Sequence, residues 1–357
     1  MDLAAGRFKR IGVLKADGLG DLILALPAIN CLRRAFPESK IELLVDSRLL
    51  ELARALPDAD SAVAFDAPWL HGERLGGRIG ALRDLAAAVR ESAALRRQRY
   101  DLLVNLRPDM RDALLCGLSG ARRRLSFGYH GLGMLLTDAV IEPDTQLHES
   151  QRLLYLLEQA GLDCAGALPR LPRDEQAAAL VADLLGATNV SDGYVVLQPF
   201  APLAAKNWPA DRFVELARAL CERGLRVVWI GDDLQHQRVA ELAAQVQGSL
   251  DLSGGPGLLE LIELLAGAAL FVGPDSGPAH LAGLLGAPCL ALFSGTNLSQ
   301  RWRPLGQKVE VVETPIDCAP CAGRCTRPQN ECMTRISVQQ VIERALALLG
   351  HDRGTLR

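Results

Sequence analysis

Two alternating periods constrain this chain more than any other feature. Short leucine-rich or β-branched runs recur, and each is followed by a longer segment with apolar residues at helical spacing. In the first half the runs are Ile11 to Leu14, Ile41 to Val45, Ala62 to Phe65 and Leu102 to Asn105; in the second they are Tyr194 to Gln198, Arg226 to Ile230, Leu270 to Val272 and Cys289 to Phe293. A short run without in-out alternation fits a strand buried on both faces, and helical crossovers provide such cover in parallel sheets. The expectation is therefore an α/β chain with two sets of parallel strands. Between them lies Cys164 to Asp192, broken by Pro169, Pro172 and Gly186, which places the boundary at about residues 170 to 190. With 357 residues, each half is long enough to bury its own core. Pro209 to Gly224 shows the helix grammar: proline near the start, Phe213, Leu216, Ala217 and Leu220 on one face, and glycine as the stop.

Charge excludes one class of partner. The net charge is -3, with 23% charged residues, so no basic field gathers nucleic acid. No apolar stretch reaches the roughly 20 residues that cross a bilayer, and Ile11 to Leu14 is too short for a signal-peptide core. A cytoplasmic location without a transmembrane anchor is expected. Of nine cysteines, Cys31, Cys116, Cys164, Cys221 and Cys289 are scattered singly and read as buried small hydrophobes.

The first strand runs into KADGLGDLILALPAIN, where Gly18 and Gly20 permit a tight turn and Asp21 stands at the mouth of a helix. A dinucleotide fingerprint fits poorly. Ile23 occupies the third glycine position, Asp21 would repel a pyrophosphate at the helix start, and Pro27 interrupts or restarts the helix. A carboxylate there suits a general base, although an ordinary first-turn acid has the same signature. In the second half, Leu270 to Val272 runs into GPDSGPAHLAG, so Asp275, Ser276 and Gly277 form a strand-to-helix turn with Pro278 opening the helix. Its free N–H groups and positive dipole end suit a diphosphate, and His280 lies one turn in. Lys206 follows the strand Tyr194 to Gln198 and so comes to the carboxyl edge of the same sheet, where ligands of open α/β sheets collect. Trp208 reads as packing.

Three motifs then stand in order along the chain: K-x-x-x-x-G-D-x-x-x-x-x-P in Lys15 to Pro27, K-x-W-P in Lys206 to Pro209, and D-S-G-x-x-H in Asp275 to His280. Together they resemble glycosyltransferase family 9, which contains the heptosyltransferases of lipopolysaccharide core assembly. The resemblance implies a GT-B fold, two Rossmann-like domains with parallel sheets facing a central cleft. The acceptor domain is expected over residues 1–175 and the nucleotide-sugar domain over 190–335, with a C-terminal helix in 336–357 that in such proteins packs back across the cleft. By the same resemblance Asp21 is the catalytic base, and Gly20, Lys206, Gln235, Asp275, Ser276, Gly277 and His280 bind the donor. Where members of the family carry a hydroxyl before the lysine, Ala201 to Ala205 has none, and Gln235 stands where a nucleotide-contacting Glu is found.

The implied activity is inverting transfer of a sugar, ADP-heptose being the leading donor, onto a lipopolysaccharide-core-like or other glycan acceptor, with no cofactor for catalysis. Arg107, Arg111, Arg122, Arg123 and Arg124 are candidates to hold an anionic lipid-linked acceptor at the cytoplasmic face of the inner membrane. Cys318, Cys321, Cys325 and Cys332 form C-x2-C-x3-C-x6-C, whose thiolates suit a structural zinc or else remain free or redox-paired. Rival readings are a nucleotide-sugar epimerase on the same fold, a catalytically silent sugar-binding protein and, weakest, a nicotinamide-dependent dehydrogenase.

Overall fold

The structure, a computed structural model, describes residues 2–66, 77–107, 110–128, 132–143, 146–186, 193–325, 327 and 329–350. Residues 187–190 of the expected boundary, positions 326 and 328 of the cysteine segment, and 351–357 of the expected C-terminal helix lie outside them. The chain divides into two units, Met1–Pro172 and Arg173–Arg357.

In the first unit the strands are β1 (Arg10–Leu14), β2 (Lys40–Val45), β3 (Ser61–Ala64), β4 (Leu102–Asn105), β5 (Arg123–Phe127) and β6 (Asp138–Val140). The helices are α1 (Leu19–Ala35), α2 (Leu50–Ala55), α3 (Gly77–Gln98), α4 (Met110–Leu118) and α5 (Glu149–Gln159). Among the described residues the strands form one parallel sheet in the order β3-β2-β1-β4-β5-β6. β1 and β4 are neighbours whose connections run to opposite sides, which makes the space beyond their carboxyl ends a topological switch point. Apart from the half-buried Arg10, both strands are fully buried, as their unbroken apolar runs require.

The second unit repeats this winding. Its strands β7 (Tyr194–Leu197), β8 (Arg226–Trp229), β9 (Leu250–Asp251), β10 (Leu270–Pro274), β11 (Cys289–Phe293) and β12 (Val309–Glu313) take the order β12-β11-β10-β7-β8-β9, again parallel. The helices are α6 (Glu175–Leu185), α7 (Ala210–Cys221), α8 (His236–Ala243), α9 (Leu258–Ala266), α10 (Gly277–Leu284), α11 (Ser299–Trp302), α12 (Glu331–Thr334) and α13 (Val338–Leu348). Here the switch point lies beyond β7 and β10. One apolar cluster joins β7, α7, β8 and β10 to Val341 and Ala345 of α13. Trp208 seals it, packing edge-on against Phe213 with ring centroids 5.1 Å apart and donating its indole N–H to the Ile336 carbonyl at 2.9 Å.

Two expectations are corrected in α1. The helix runs unbroken through Pro27, because every residue from Leu22 to Leu32 is buried and packing against α5 outweighs the one lost hydrogen bond. Cys31 on that helix and Cys164 beyond α5 are not isolated small hydrophobes. The same packing brings their Cα atoms to 5.3 Å and they form a disulfide. Four strands, β5 and the edge strands β6, β9 and β12, add to the expected set; they are short or carry charged residues, so no apolar run marks them.

Candidate active site

In the first unit, β1 delivers its carboxyl end directly into a cluster of charges. Lys15 continues the ladder through its N–H to the Leu44 carbonyl, and its side chain is 1% exposed. Its ammonium donates to Asp17 at 2.7 Å and lies 3.6 Å from Asp21 Oδ1. Asp17 also receives Arg107 Nε from the segment after β4, and Arg107 donates through Nη1 to Asp112 of α4 at 2.9 Å. The cluster spans the switch point. Burial alone would raise the Asp17 carboxyl, but Lys15 and Arg107 outweigh it and hold it below its ordinary value.

Asp21 is the third residue of α1, where unpaired amides and the helix dipole favour a negative charge, and its side chain is 32% exposed. It combines access to solvent with a fixed cation behind it. Gly18 precedes the helix with φ -75°, a conformation any residue adopts, so its use here is space: an added Cβ would lie 3.7 Å from Asp21 Oδ2. Gly20 is a first-turn helical residue.

The five expected acceptor arginines do not share one place. Arg107 and the half-buried Arg111 in the first turn of α4 lie at the carboxyl edge, with Arg107 already engaged by two carboxylates. Arg122, Arg123 and Arg124 lie at the opposite, amino edge, since Arg123 pairs in register with Leu102 and Leu102 with Ile11. Arg123 clasps Asp138 with two hydrogen bonds, and Arg124 donates to the Leu135 and Ala121 carbonyls. The triplet is a brace for β5 and is no part of the site around Asp21.

In the second unit, β10 ends in Pro274 and the chain turns through Asp275 and Ser276 into α10, with Pro278 in the first helical turn. The N–H groups of Gly277 and Ala279 precede any intrahelical acceptor, and Pro278 has none to satisfy. Lys206, at the end of a 3-10 turn over Ala204–Lys206, reaches across the switch point to Asp275, with Nζ 2.6 Å from Oδ2 and 3.1 Å from the backbone carbonyl. Asn297 donates to the same Oδ2 at 2.9 Å, and His280 Nε2 lies 3.7 Å from Oδ1. Burial opposes ionisation of Asp275, but His280 and Lys206 together hold its carboxyl down at about 2. Asp275 therefore holds the Lys206 ammonium in place; a bare carboxylate would repel a diphosphate.

Ser276 donates to Gln198 Oε1 at 2.6 Å, and Gln198 donates to the Phe200 carbonyl, which ties the helix start to the loop after β7. That loop has no hydroxyls of its own and is braced by Asn207 and Asn330. His280 Nδ1 is a buried polar atom without a hydrogen-bond partner among the described residues. Gln235 lies on the same sheet edge beyond β8, but its side-chain oxygen accepts from the Asp232 N–H at 3.4 Å and faces that turn.

Of the residues expected at the site, the structure brings Lys206, Asp275, Ser276, Gly277 and His280 together in the second unit and sets Asp21 at the switch point of the first. Sequence reasoning missed Asp17, Gln198 and Asn297. Gln198 closes an expected strand and Asn297 lies in the SGTN segment after β11, so position at a strand's carboxyl end was the available signal.

The four clustered cysteines are all thiols, and Cys332 is the buried one. Burial first, then Cys325, Cys321 and Cys318 nearby, push its thiol up. Among the described residues no group of three or more His, Cys, Asp or Glu side chains is gathered closely enough to hold a metal ion.

Two Rossmann-like units, each with a polar cluster, a lysine and a helix start at its switch point, make the architecture of a GT-B protein. Residues 89–331 match the family described as glycosyltransferase family 9 (heptosyltransferase). Lipopolysaccharide heptosyltransferase 3 of Escherichia coli K12 is 27% identical over 297 residues, covering 81% of this chain and 83% of that one. The crystal structure of a family 9 glycosyl transferase from Veillonella parvula superposes with a TM-score of 0.77 at 24% identity, covering 99% of each chain. E. coli heptosyltransferase WaaC with ADP-2-deoxy-2-fluoro heptose superposes at 0.65 with 20% identity, covering 94% of this chain and 99% of that one. The chain belongs to glycosyltransferase family 9: it is a glycosyltransferase of GT-B fold.

Proposed function

We propose that this enzyme transfers heptose from ADP-heptose to a lipopolysaccharide-core saccharide by a single inverting displacement that uses no metal. The observation that carries the proposal is the second-unit site, where Lys206, held by Asp275, stands beside the first-turn amides of α10. A departing diphosphate develops negative charge there, and fixed positive groups aimed at developing charge commonly contribute more to rate enhancement than any other effect. Asp21 supplies the other half. Its carboxylate takes the acceptor hydroxyl proton, the oxygen attacks the anomeric carbon, and the bond to the diphosphate breaks with its electron pair leaving on ADP. One displacement inverts the anomeric configuration. Ser276 and Gly277 contribute the helix start, and His280 backs Asp275.

The relatives named for heptosyl transfer, and the WaaC structure with an ADP-heptose analogue, support the choice of donor. A lipid-linked acceptor would be met at the cytoplasmic face of the inner membrane; among the described residues no helix is long and apolar enough to cross a membrane. Arg111 is the expected acceptor contact that best fits this role by its place. The cysteine segment stays outside the chemistry, because four thiolates around a zinc leave no open position. Metal analysis of protein purified without chelator decides its state: one ion per chain places a structural metal there, whereas four titratable thiols exclude it.

The test of the whole reading is Asp21→Asn. Transfer from ADP-heptose should fall by about two to four powers of ten while donor affinity stays within about twofold. Undiminished turnover overturns the base assignment. No binding of any nucleotide sugar by the native enzyme overturns the donor site.

A further inference from the structure

Lys15 is the charge at the first switch point that the proposed chemistry leaves without a task. Its side chain is 1% exposed just past the buried carboxyl end of β1, where an apolar residue would pack without the cost of desolvating an ammonium. A lysine in such a place is there for its charge.

The groups facing it come from three elements. Asp17 in its own loop accepts its hydrogen bond at 2.7 Å, Asp21 on α1 lies at 3.6 Å, and Glu149 at the start of α5 acts on it through space. Glu149 is clasped by Arg152 through two hydrogen bonds of 2.8 and 3.0 Å. Asp17 is shared with Arg107, which Asp112 anchors in turn. Asp21, with 32% of its side chain exposed, is the member of this group that combines contact with Lys15 and access to an incoming hydroxyl. Burial by itself would lower the Lys15 ammonium, but Asp17, Asp21 and Glu149 outweigh it and leave it raised, so it stays charged throughout the working range.

We propose that Lys15 is a positioning residue for the base, its buried ammonium holding the Asp21 carboxylate in one orientation and in its charged form, with Asp112, Arg107 and Asp17 as the chain that fixes the ammonium. The proposal rests on the reading of Asp21 as the base. The buried cation prevents Asp21 from picking up a solvent proton before the acceptor arrives. It also draws Oδ1 toward the buried ammonium.

Two measurements test it. The first needs no substrate: the Asp21 carboxyl is titrated by 13C NMR, assigned by its loss in Asp21→Asn. In Lys15→Gln, which keeps a hydrogen-bond donor for Asp17 without the charge, the midpoint should rise by about one pH unit, about a tenfold change in proton affinity. In Lys15→Arg it should stay near the native value. Asp17→Asn removes a competing negative charge while leaving Lys15 in place, and should move the midpoint down; it keeps the test open if Lys15→Gln fails to fold. The second measurement is the pH profile of kcat/KM, whose acidic limb should move with the NMR midpoint in each variant while donor affinity stays within about twofold. A midpoint unmoved by both Lys15→Gln and Asp17→Asn overturns the proposal, as does slower transfer with an unmoved acidic limb. If Asp21→Asn retains transfer, the base reading fails instead, and the NMR titration still reports the coupling of the two side chains.

Discussion

Asp275→Asn isolates the electrostatic core of the donor site. The substitution keeps the shape of the side chain and removes one charge from a position 4% exposed, beneath Lys206 at 2.6 Å and Asn297 at 2.9 Å. A carboxyl held at about 2 in the folded protein, against an ordinary 3.8, contributes about 2 kcal/mol of stability at neutral pH. The sign follows from the depressed value. The contribution is complete above about pH 4, where the unfolded carboxyl is also ionised, and is lost as the pH falls from about 4 to about 2. Urea unfolding followed by the fluorescence of Trp208 and Trp229, both buried in the second unit, measures it without adding salt. The variant should be less stable than the native protein by about 2 kcal/mol at neutral pH, and the gap should close toward about pH 2. Donor affinity should fall about tenfold, because Lys206 loses the group that holds it. A gap that stays constant from about pH 5 to about pH 2, or unchanged stability at neutral pH, would refute the claim that Asp275 is a buried carboxylate holding the Lys206 ammonium.

Three further outcomes follow from the same structure. Lys206→Ala should raise the donor KM and lower kcat, together about 2 to 4 kcal/mol of transition-state stabilisation, read from kcat/KM. Gly283→Ala places a methyl 2.5 Å from the Leu305 carbonyl oxygen and 2.9 Å from Val309, so α10 must shift; about 1 to 3 kcal/mol of stability should be lost, measured by urea unfolding. Cys31→Ser should cost about 2 to 4 kcal/mol relative to the oxidised native protein and less than that relative to the reduced one; intact mass under non-reducing conditions establishes the bond.

The alternation of buried runs and helical segments was enough to specify two parallel α/β units, since a run such as Val195 to Leu197 has no other way to bury both faces. The same reading placed Asp21, Lys206 and the Asp275 to His280 turn at strand ends, because in a parallel sheet every strand points its carboxyl end to one edge. It overlooked β5, β6, β9 and β12, whose pairing partners supply what their own residues do not. It grouped Arg107 and Arg111 with Arg122 to Arg124 by charge, although register sets the triplet at the far edge of the sheet.

Local pattern thus determined which segments are strands, which are helices, and which loops carry chemistry, because period and turn residues act over a few positions. Tertiary structure alone decided which distant side chains meet. It joined Cys31 to Cys164, set Asn297 beside Asp275, and carried the charge of Arg107 to Asp17 next to Lys15, since contacts between residues far apart in sequence depend on how sheets are wound and leave no mark in either segment by itself.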